Sequence, residues 1–322
     1  MNSSESCNGD SLEPIDAVYT WVDGDDPGWQ AQWEASGHPS DLPRHRYRNH
    51  DELRYSLRSL EQFAPWVRTV YLVTSGQQPE WLNLDSSRLQ LVAHDQIFPD
   101  AHNLPTFNSH AIELNLHRIP GLSQRFLYIN DDCFFGKSCQ PGDFVGADGE
   151  VGYLEDIHLD RQLGHSEPSD LACRHTRELA EARFGGAELE WMPAHTPQLY
   201  DRDQVVELEQ QFSKEFAETS ASRFRSPEDL VLRIAYAVLS KSLGKQQILL
   251  ESGNSKYSFI RLHGDVSARL KDFAFLQQLR PNFFCLNDDL ASGRQSDVLS
   301  IVMRQFLESC FPQPSAFEVG GE

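Results

Sequence analysis

Residues 15–27 read Ile15-Asp16-Ala17-Val18-Tyr19-Thr20-Trp21-Val22-Asp23-Gly24-Asp25-Asp26-Pro27. The run from Ile15 to Val22 is β-branched, aromatic and apolar, which marks a buried strand. The turn-forming block that follows, Asp23 to Pro27, stops it. A strand that ends abruptly in a polar cluster is the form ligand sites take in open α/β sheets, where ligands gather outside the carboxyl ends of the strands.

Working outward, the same form recurs. The run Arg125 to Ile129 leads straight into Asn130-Asp131-Asp132, and Phe283 to Leu286 leads into Asn287-Asp288. Between these lie further strands, Val70 to Thr74 and Leu89 to Ala93. The helical patterns are Asp51 to Phe63 (with Leu53, Leu57 and Leu60 on one face), Ser109 to His117, Gln204 to Phe212, Pro227 to about Ser240, and Val298 to Ser309. The last but one has a full set of start signals, with Ser226 as cap, Pro227 in the first turn and Asp229 at the positive end. Alternation of strands and helices predicts an α/β fold, a mostly parallel sheet flanked by helices. If the three polar-tipped strands are parallel neighbours, their tips share one crevice.

The chain has 322 residues, 39% apolar and 24% charged, with a formal net charge of -20. That balance disfavours nucleic-acid binding, which rests on basic patches. No apolar run approaches the roughly 18–20 residues of a membrane helix. Met1 to Pro14 has neither a basic nor an apolar leader region, so a cytoplasmic enzyme is expected. The six cysteines (Cys7, Cys133, Cys139, Cys173, Cys285 and Cys310) are far apart with no C-x-x-C, which predicts neither a zinc site nor a disulfide framework. Residues 1–14 and 319–322 are expected to be loose ends around one domain at 15–318, with variable insertions near 140–190 and 241–280.

Several residues could carry chemistry. Asp131 and Asp132 would repel each other at a buried strand end unless a divalent cation joined them, and Mg2+ favours one or two carboxylates with phosphate oxygens. Asp is also an ordinary turn former. Arg44, Arg46, Arg48, Arg54 and Arg58 form a basic stretch in an acidic chain, suited to gripping phosphate or to plain surface ion pairs. His195 lies between Pro193 and Pro197, stiffly held, and can be a general base or a structural histidine. His117 lies four residues after Glu113. Arg225 precedes the expected start of a helix, where free backbone N–H groups would welcome a phosphate.

In order, these segments resemble the four signature blocks of the Stealth family of sugar-phosphate transferases. Ile15 to Pro27 resembles the first. Asp51-Glu52-Leu53-Arg54-Tyr55-Ser56-Leu57-Arg58-Ser59, Val73-Thr74-Ser75-Gly76-Gln77, Leu116 to Leu122 and Tyr128-Ile129-Asn130-Asp131-Asp132 resemble the second. His195-Thr196-Pro197 through Phe224-Arg225-Ser226-Pro227 resembles the third, and Cys285-Leu286-Asn287-Asp288 the fourth. The second block usually opens Arg-Asp-Asn; here it reads Arg48-Asn49-His50, with no acid at 49.

The resemblance implies a Rossmann-like, GT-A-like nucleotide-sugar transferase core with a helical insertion. It implies transfer of a hexose-1-phosphate, such as N-acetylhexosamine-1-phosphate, from a UDP-sugar to an oligo- or polysaccharide hydroxyl. The product would be a phosphodiester in exopolysaccharide or capsule, with release of nucleoside monophosphate. The alternative is a metal-dependent glycosyltransferase that moves the sugar alone. On this reading Asp131 and Asp132 hold Mg2+ or Mn2+, and His195 or Asp131 is the base. Arg54 and Arg225 steady the phosphoryl oxygens. Trp21, Val22, Asp23, Gly24, Arg48, Glu52, Gly76, Gln77, His117, Asn130, Asn287 and Asp288 bind substrate. Peripheral docking on a membrane export complex at the inner face of the membrane is a further expectation of that reading.

Overall fold

The computed structural model describes residues 13–40, 42–158, 167–185, 188–251, 255–263, 266–289 and 294–321. In chain order the strands are β1 (Ile15–Thr20), β2 (Val70–Thr74), β3 (Leu89–Ala93), β4 (Arg125–Asn130), β5 (Cys133–Phe135), β6 (Val145–Gly146), β7 (Gly149–Glu150), β8 (Gly152–His158), β9 (Trp191–Pro193), β10 (Gln198–Asp201), β11 (Gln247–Leu250), β12 (Tyr257–Leu262) and β13 (Phe283–Asp288). The helices are α1 (Pro27–Ala35), α2 (Glu52–Phe63), α3 (Ser109–Asn115), α4 (Pro168–Phe184), α5 (Arg202–Gln211), α6 (Ser213–Ala221), α7 (Leu232–Ser242), α8 (Val266–Leu279) and α9 (Arg294–Cys310).

The main sheet runs β10-β4-β1-β2-β3, parallel except for β10 at one edge. This is the expected mostly parallel sheet flanked by helices. Its strands are apolar on both faces because both faces are covered. Side chains alternate across the sheet. Val18, Tyr71, Val73, Phe126 and Tyr128 pack with α3, α4, α5 and α7. Ala17, Tyr19, Leu72, Leu127 and Ile129 face Leu53, Leu57 and Leu60 of α2. Helix α4, in the segment read as an insertion, buries Ala172, Cys173 and Ala180 in the first of these layers.

Two expectations fail. Strand β13 is not a parallel neighbour of β1 and β4. It pairs parallel to β12 and antiparallel to β5 in a separate small sheet. The chain leaves the main sheet at Asp131-Asp132 and enters the small sheet as β5, so the acid pair sits at the changeover. Leu286 N donates to Asp132 O at 3.0 Å, which brings the end of β13 to the same place by another route.

Nor does a helix begin at Ser226-Pro227: α7 starts at Leu232. Asp229 Oδ2 accepts from Ser226 N at 3.0 Å, from Asn108 Nδ2 at 2.8 Å and from His110 Nδ1 at 3.1 Å, fixing a turn instead. Thr219 and Thr176 hydroxyls take the N–H groups of Leu230 and Val231. The local start signals lost to tertiary hydrogen bonds.

Of the expected loose ends, residues 1–12 and 322 lie outside the described residues. Val319 N donates to Trp81 O at 2.9 Å. No helix of the described residues is long and apolar enough to cross a membrane.

Candidate active site

Strands β1 and β4 lie in register, Thr20 beside Asn130, so Trp21-Val22-Asp23 and Asp131-Asp132 emerge side by side. Asn130 Nδ2 lies 3.3 Å from His195 Nε2, and His195 Nε2 lies 3.6 Å from Asp132 Oδ1. His195 sits in the loop joining β9 to β10. Its backbone N–H is shared by Glu155 Oε1 at 3.1 Å and the Tyr257 hydroxyl at 3.3 Å. Tyr257 in turn donates to Glu155 at 2.7 Å. The loop is thereby tied to β8 and β12 while its imidazole stays about a quarter exposed, at 24%.

The electrostatics divide the acid pair. Burial, and then the neighbouring Asp132, push the Asp131 carboxyl up to about 8. Burial would raise Asp132 as well, but the His195 imidazolium and hydrogen bonds from Cys285 and Asn287 outweigh it and hold it low. The same contacts act on His195: burial opposes its charge, yet Cys133 and Asp132 lift it to about 10. These shifts favour a charged His195 facing Cys133 and Asp132, beside an Asp131 carboxyl pushed toward its neutral form. Glu52 joins them. It is 5% exposed, and burial, with the charge of Asp131 next, drives its carboxyl well up, although His50 N donates to it at 2.6 Å.

Three carboxyl groups that hinder each other's ionisation offer the hard oxygen ligands that a cation such as Mg2+ or Mn2+ takes, although the ligand atoms found within 4.8 Å of one another among the described residues are those of Asp132, Cys133, His195 and Cys285. Asp131 and Asp132, with Glu52 behind them, are the residues that would hold it. Two thiols complete the surroundings: Cys133 Sγ lies 3.7 Å from Asp132 Oδ1 and Cys285 Sγ 3.3 Å from Asp132 Oδ2.

The other expected residues fall into separate groups. Arg48 Nη1 donates to Asp288 Oδ2 at 2.7 Å, and His50 Nε2 meets the same oxygen at 3.0 Å. Asp288 is thus fixed by two cationic or hydrogen-bonding neighbours, beside the Asn287 that reaches Asp132. Asp23 is clasped through its backbone by the Gln77 amide, at 3.1 and 2.7 Å. Gly24 carries no Cβ for a clear reason: one would stand 2.5 Å from Tyr47 O. Gly76 and Gln77 line a shallow open hollow with Trp29 and Gln32, while Trp21 is buried in the core beneath.

Arg225 bonds Ser109 Oγ at 2.8 Å and lies near enough to Arg46 for the two charges to repel. The helix start it was expected to flank is absent. Arg54 pairs with Asp51 at 3.6 Å and Glu318 at 3.7 Å and lies over Trp81. Arg58 is structural, 8% exposed and bonded to Glu318. His117 is placed elsewhere. It faces Glu209 at 3.1 Å, and its carbonyl accepts from Arg202, which also bonds Leu122 O before β4 begins. That is the end of the sheet away from the acid pair.

Sequence reading missed His50, Glu155, Tyr257, Cys133 and Cys285. His50 carried a signal, as the departure from Arg-Asp-Asn. Glu155 and Tyr257 lie in segments without any motif.

Comparison with known proteins bears on this arrangement directly. Models of four Stealth protein regions match in chain order: conserved region 1 at residues 13–35, region 2 at 46–152, region 3 at 194–236 and region 4 at 274–322. The chain belongs to the Stealth family. The acid pair falls in the second region, His195 and Arg225 in the third, and Asn287-Asp288 in the fourth.

This Stealth chain is 38% identical over 322 residues to an exopolysaccharide phosphotransferase of Streptomyces coelicolor, covering 97% of itself and 58% of that protein. It is 34% identical over 334 residues to the exopolysaccharide phosphotransferase CpsY of Mycobacterium tuberculosis, covering 96% of itself and 59% of that protein. The chain therefore spans somewhat over half the length of these relatives. Among solved structures it is similar to the galactosyltransferase LgtC, with 10% identity, a TM-score of 0.44, and coverage of 92% of this chain and 96% of that one. It is also similar to mouse xyloside xylosyltransferase 1, with 12% identity, a TM-score of 0.38, and coverage of 85% and 98%.

Proposed function

We propose that the chain transfers a hexose-1-phosphate from a nucleotide-sugar, expected to be a UDP-N-acetylhexosamine, to a saccharide hydroxyl. The product is a phosphodiester in an exopolysaccharide or capsule, and nucleoside monophosphate is released. The observation that carries this reading is the meeting of His195, Asn130 and Asp132 at the shared tip of β1 and β4, beside two further acids. A proton acceptor and a cation-binding acid set then flank one point, and phosphoryl transfer needs chiefly alignment and charge stabilisation there.

In this scheme Asp131 and Asp132 hold Mg2+ or Mn2+, which neutralises the donor diphosphate when bound. A cation held there would engage the Asp132 carboxylate that otherwise faces His195 at 3.6 Å. His195, in its neutral form, would accept the proton of the attacking hydroxyl at Nε2, with Asn130 orienting the ring. Val22 to Gly24 and Gly76-Gln77 receive the nucleoside, and Trp21, buried in the core, supports them from within. Arg48, Asn287 and Asp288 position the sugars, Glu52 supports the acid pair, and Arg225 and Arg54 steady phosphoryl oxygens. His117 has no part at this end of the sheet. The enzyme would work in the cytoplasm or docked at the inner face of a membrane.

Phosphorus nuclear magnetic resonance of the purified saccharide product tests the proposal. A sugar–phosphate–sugar diester resonance is expected. A lengthened saccharide with no phosphorus would support transfer of the sugar alone and contradict it.

A further inference from the structure

Cysteines 133 and 285 are far apart in sequence, and spacing alone predicts no metal site. The fold reverses that. β5 and β13 are antiparallel partners with Cys133 opposite Cys285. Their thiols, the Asp132 carboxylate and the His195 imidazole offer four ligand atoms that all lie within 4.8 Å of one another. From Asp132 Oδ1, His195 Nε2 at 3.6 Å and Cys133 Sγ at 3.7 Å lie close to the edge length of a tetrahedron, and Cys285 Sγ lies 3.3 Å from the other oxygen, Oδ2. Around a metal with ligands at roughly 2.0–2.3 Å, those edges run to roughly 3.3–3.8 Å.

The chemistry of this set differs from that of the oxygen site beside it. Two sulfurs and one imidazole nitrogen are soft to borderline ligands, which select zinc-like ions, whereas Mg2+ holds to oxygen. Cys133 and Cys285 are 2% and 0% exposed, so water competes little for the ion. Asp132 and His195 are 17% and 24% exposed and form the mouth through which it would enter.

We propose that Asp132, Cys133, His195 and Cys285 form a second metal site, specific for Zn2+ or a similar borderline ion over Mg2+. Binding releases to solvent the protons of the thiols and of the His195 imidazolium, as thiolates and neutral imidazole coordinate. The test needs no transferase activity; an ion held here would take the His195 Nε2 and the Asp132 carboxylate that the proposed reaction uses, so the two arrangements exclude each other.

The test is a titration of the reduced, metal-free protein with Co2+ in the presence of excess Mg2+, read by absorption. One equivalent of Co2+ should give thiolate-to-metal charge-transfer absorption and the visible bands of a tetrahedral ion, and Zn2+ should bleach both. In Cys133→Ser the charge-transfer band should weaken, and Zn2+ binding should fall by more than roughly 100-fold, the upper end of what loss of an outer-shell partner costs. Cys285→Ala, should Cys133→Ser fail to fold, gives the same reading. Absence of thiolate absorption in the wild-type protein, displacement of Co2+ by Mg2+, or unchanged Zn2+ affinity in a folded cysteine variant would each overturn the site.

Discussion

At the scale of single residues the account turns on His195. Its ring is held by Asn130 and Asp132 while its backbone is tied to Glu155 and Tyr257, so removing the ring should leave the loop in place. His195→Ala should therefore lower turnover by roughly 100-fold or more, as loss of a general base does, with an unchanged melting temperature. Turnover within a few-fold of wild type would shift the role of base to Asp131. Much of this residue-level site was legible in the sequence, because an acid pair at a strand end and a proline-flanked histidine are local features. The thiols were not. Nothing within either cysteine's own segment says that β5 and β13 pair, so the Cys133–Cys285 meeting exists only in the tertiary structure.

At the scale of elements, Glu150 at the end of β7 gathers four others. It accepts from Arg125 of β4 at 2.9 Å, Gln204 of α5 at 3.0 Å and Tyr236 of α7 at 3.3 Å, and pairs with Lys245 before β11. Burial alone would raise its carboxyl, but Lys245, Arg125 and Gln204 outweigh it and lower the value from 4.5 to about 2. A carboxyl lowered on folding contributes stability that is full above its unfolded value and is lost as pH falls through the folded one. The window is thus pH 4.5 to about 2, and the contribution about 3 kcal/mol. Denaturant unfolding across this range should show that slope in the wild-type protein and a shallower one in Glu150→Gln; equal slopes would remove Glu150 from the account. Elements also mark where sequence reading erred. Strands β1 to β4, β13 and helix α2 followed from the sequence pattern and β5 to β12 did not, whereas the cap residues before α7 were drawn into a turn by Asn108 and His110, partners more than a hundred residues away.

At the scale of the whole molecule, the C-terminal segment is fastened across α2. Arg58 and Glu318 are each 8% exposed and share two hydrogen bonds, at 2.7 and 2.8 Å, while Arg58 also reaches Phe311 O at 2.8 Å. Removing Glu318 strips the buried guanidinium of two hydrogen bonds while Glu308 still faces it at 3.1 Å, so a cost toward the lower end of about 3–5 kcal/mol is expected. Glu318→Ala should lose stability on that order in denaturant unfolding, and replacing both residues with apolar ones should recover part of it. A loss below about 1 kcal/mol would mean that the segment is held by its apolar contacts alone. Glu318 also faces Arg54, in the first turn of α2 close to Glu52, which links the C-terminal segment to residues of the proposed site.

The central claim is that phosphate travels with the sugar, and the released nucleotide reports this most directly. The purified protein would be incubated with Mg2+, a panel of nucleotide-sugars and a mixed oligosaccharide acceptor, and the nucleotide products separated. The account predicts nucleoside monophosphate, formed only when both acceptor and metal are present. Nucleoside diphosphate in its place would contradict it, and would require new roles for His195, Arg54 and Arg225 in transfer of the sugar alone.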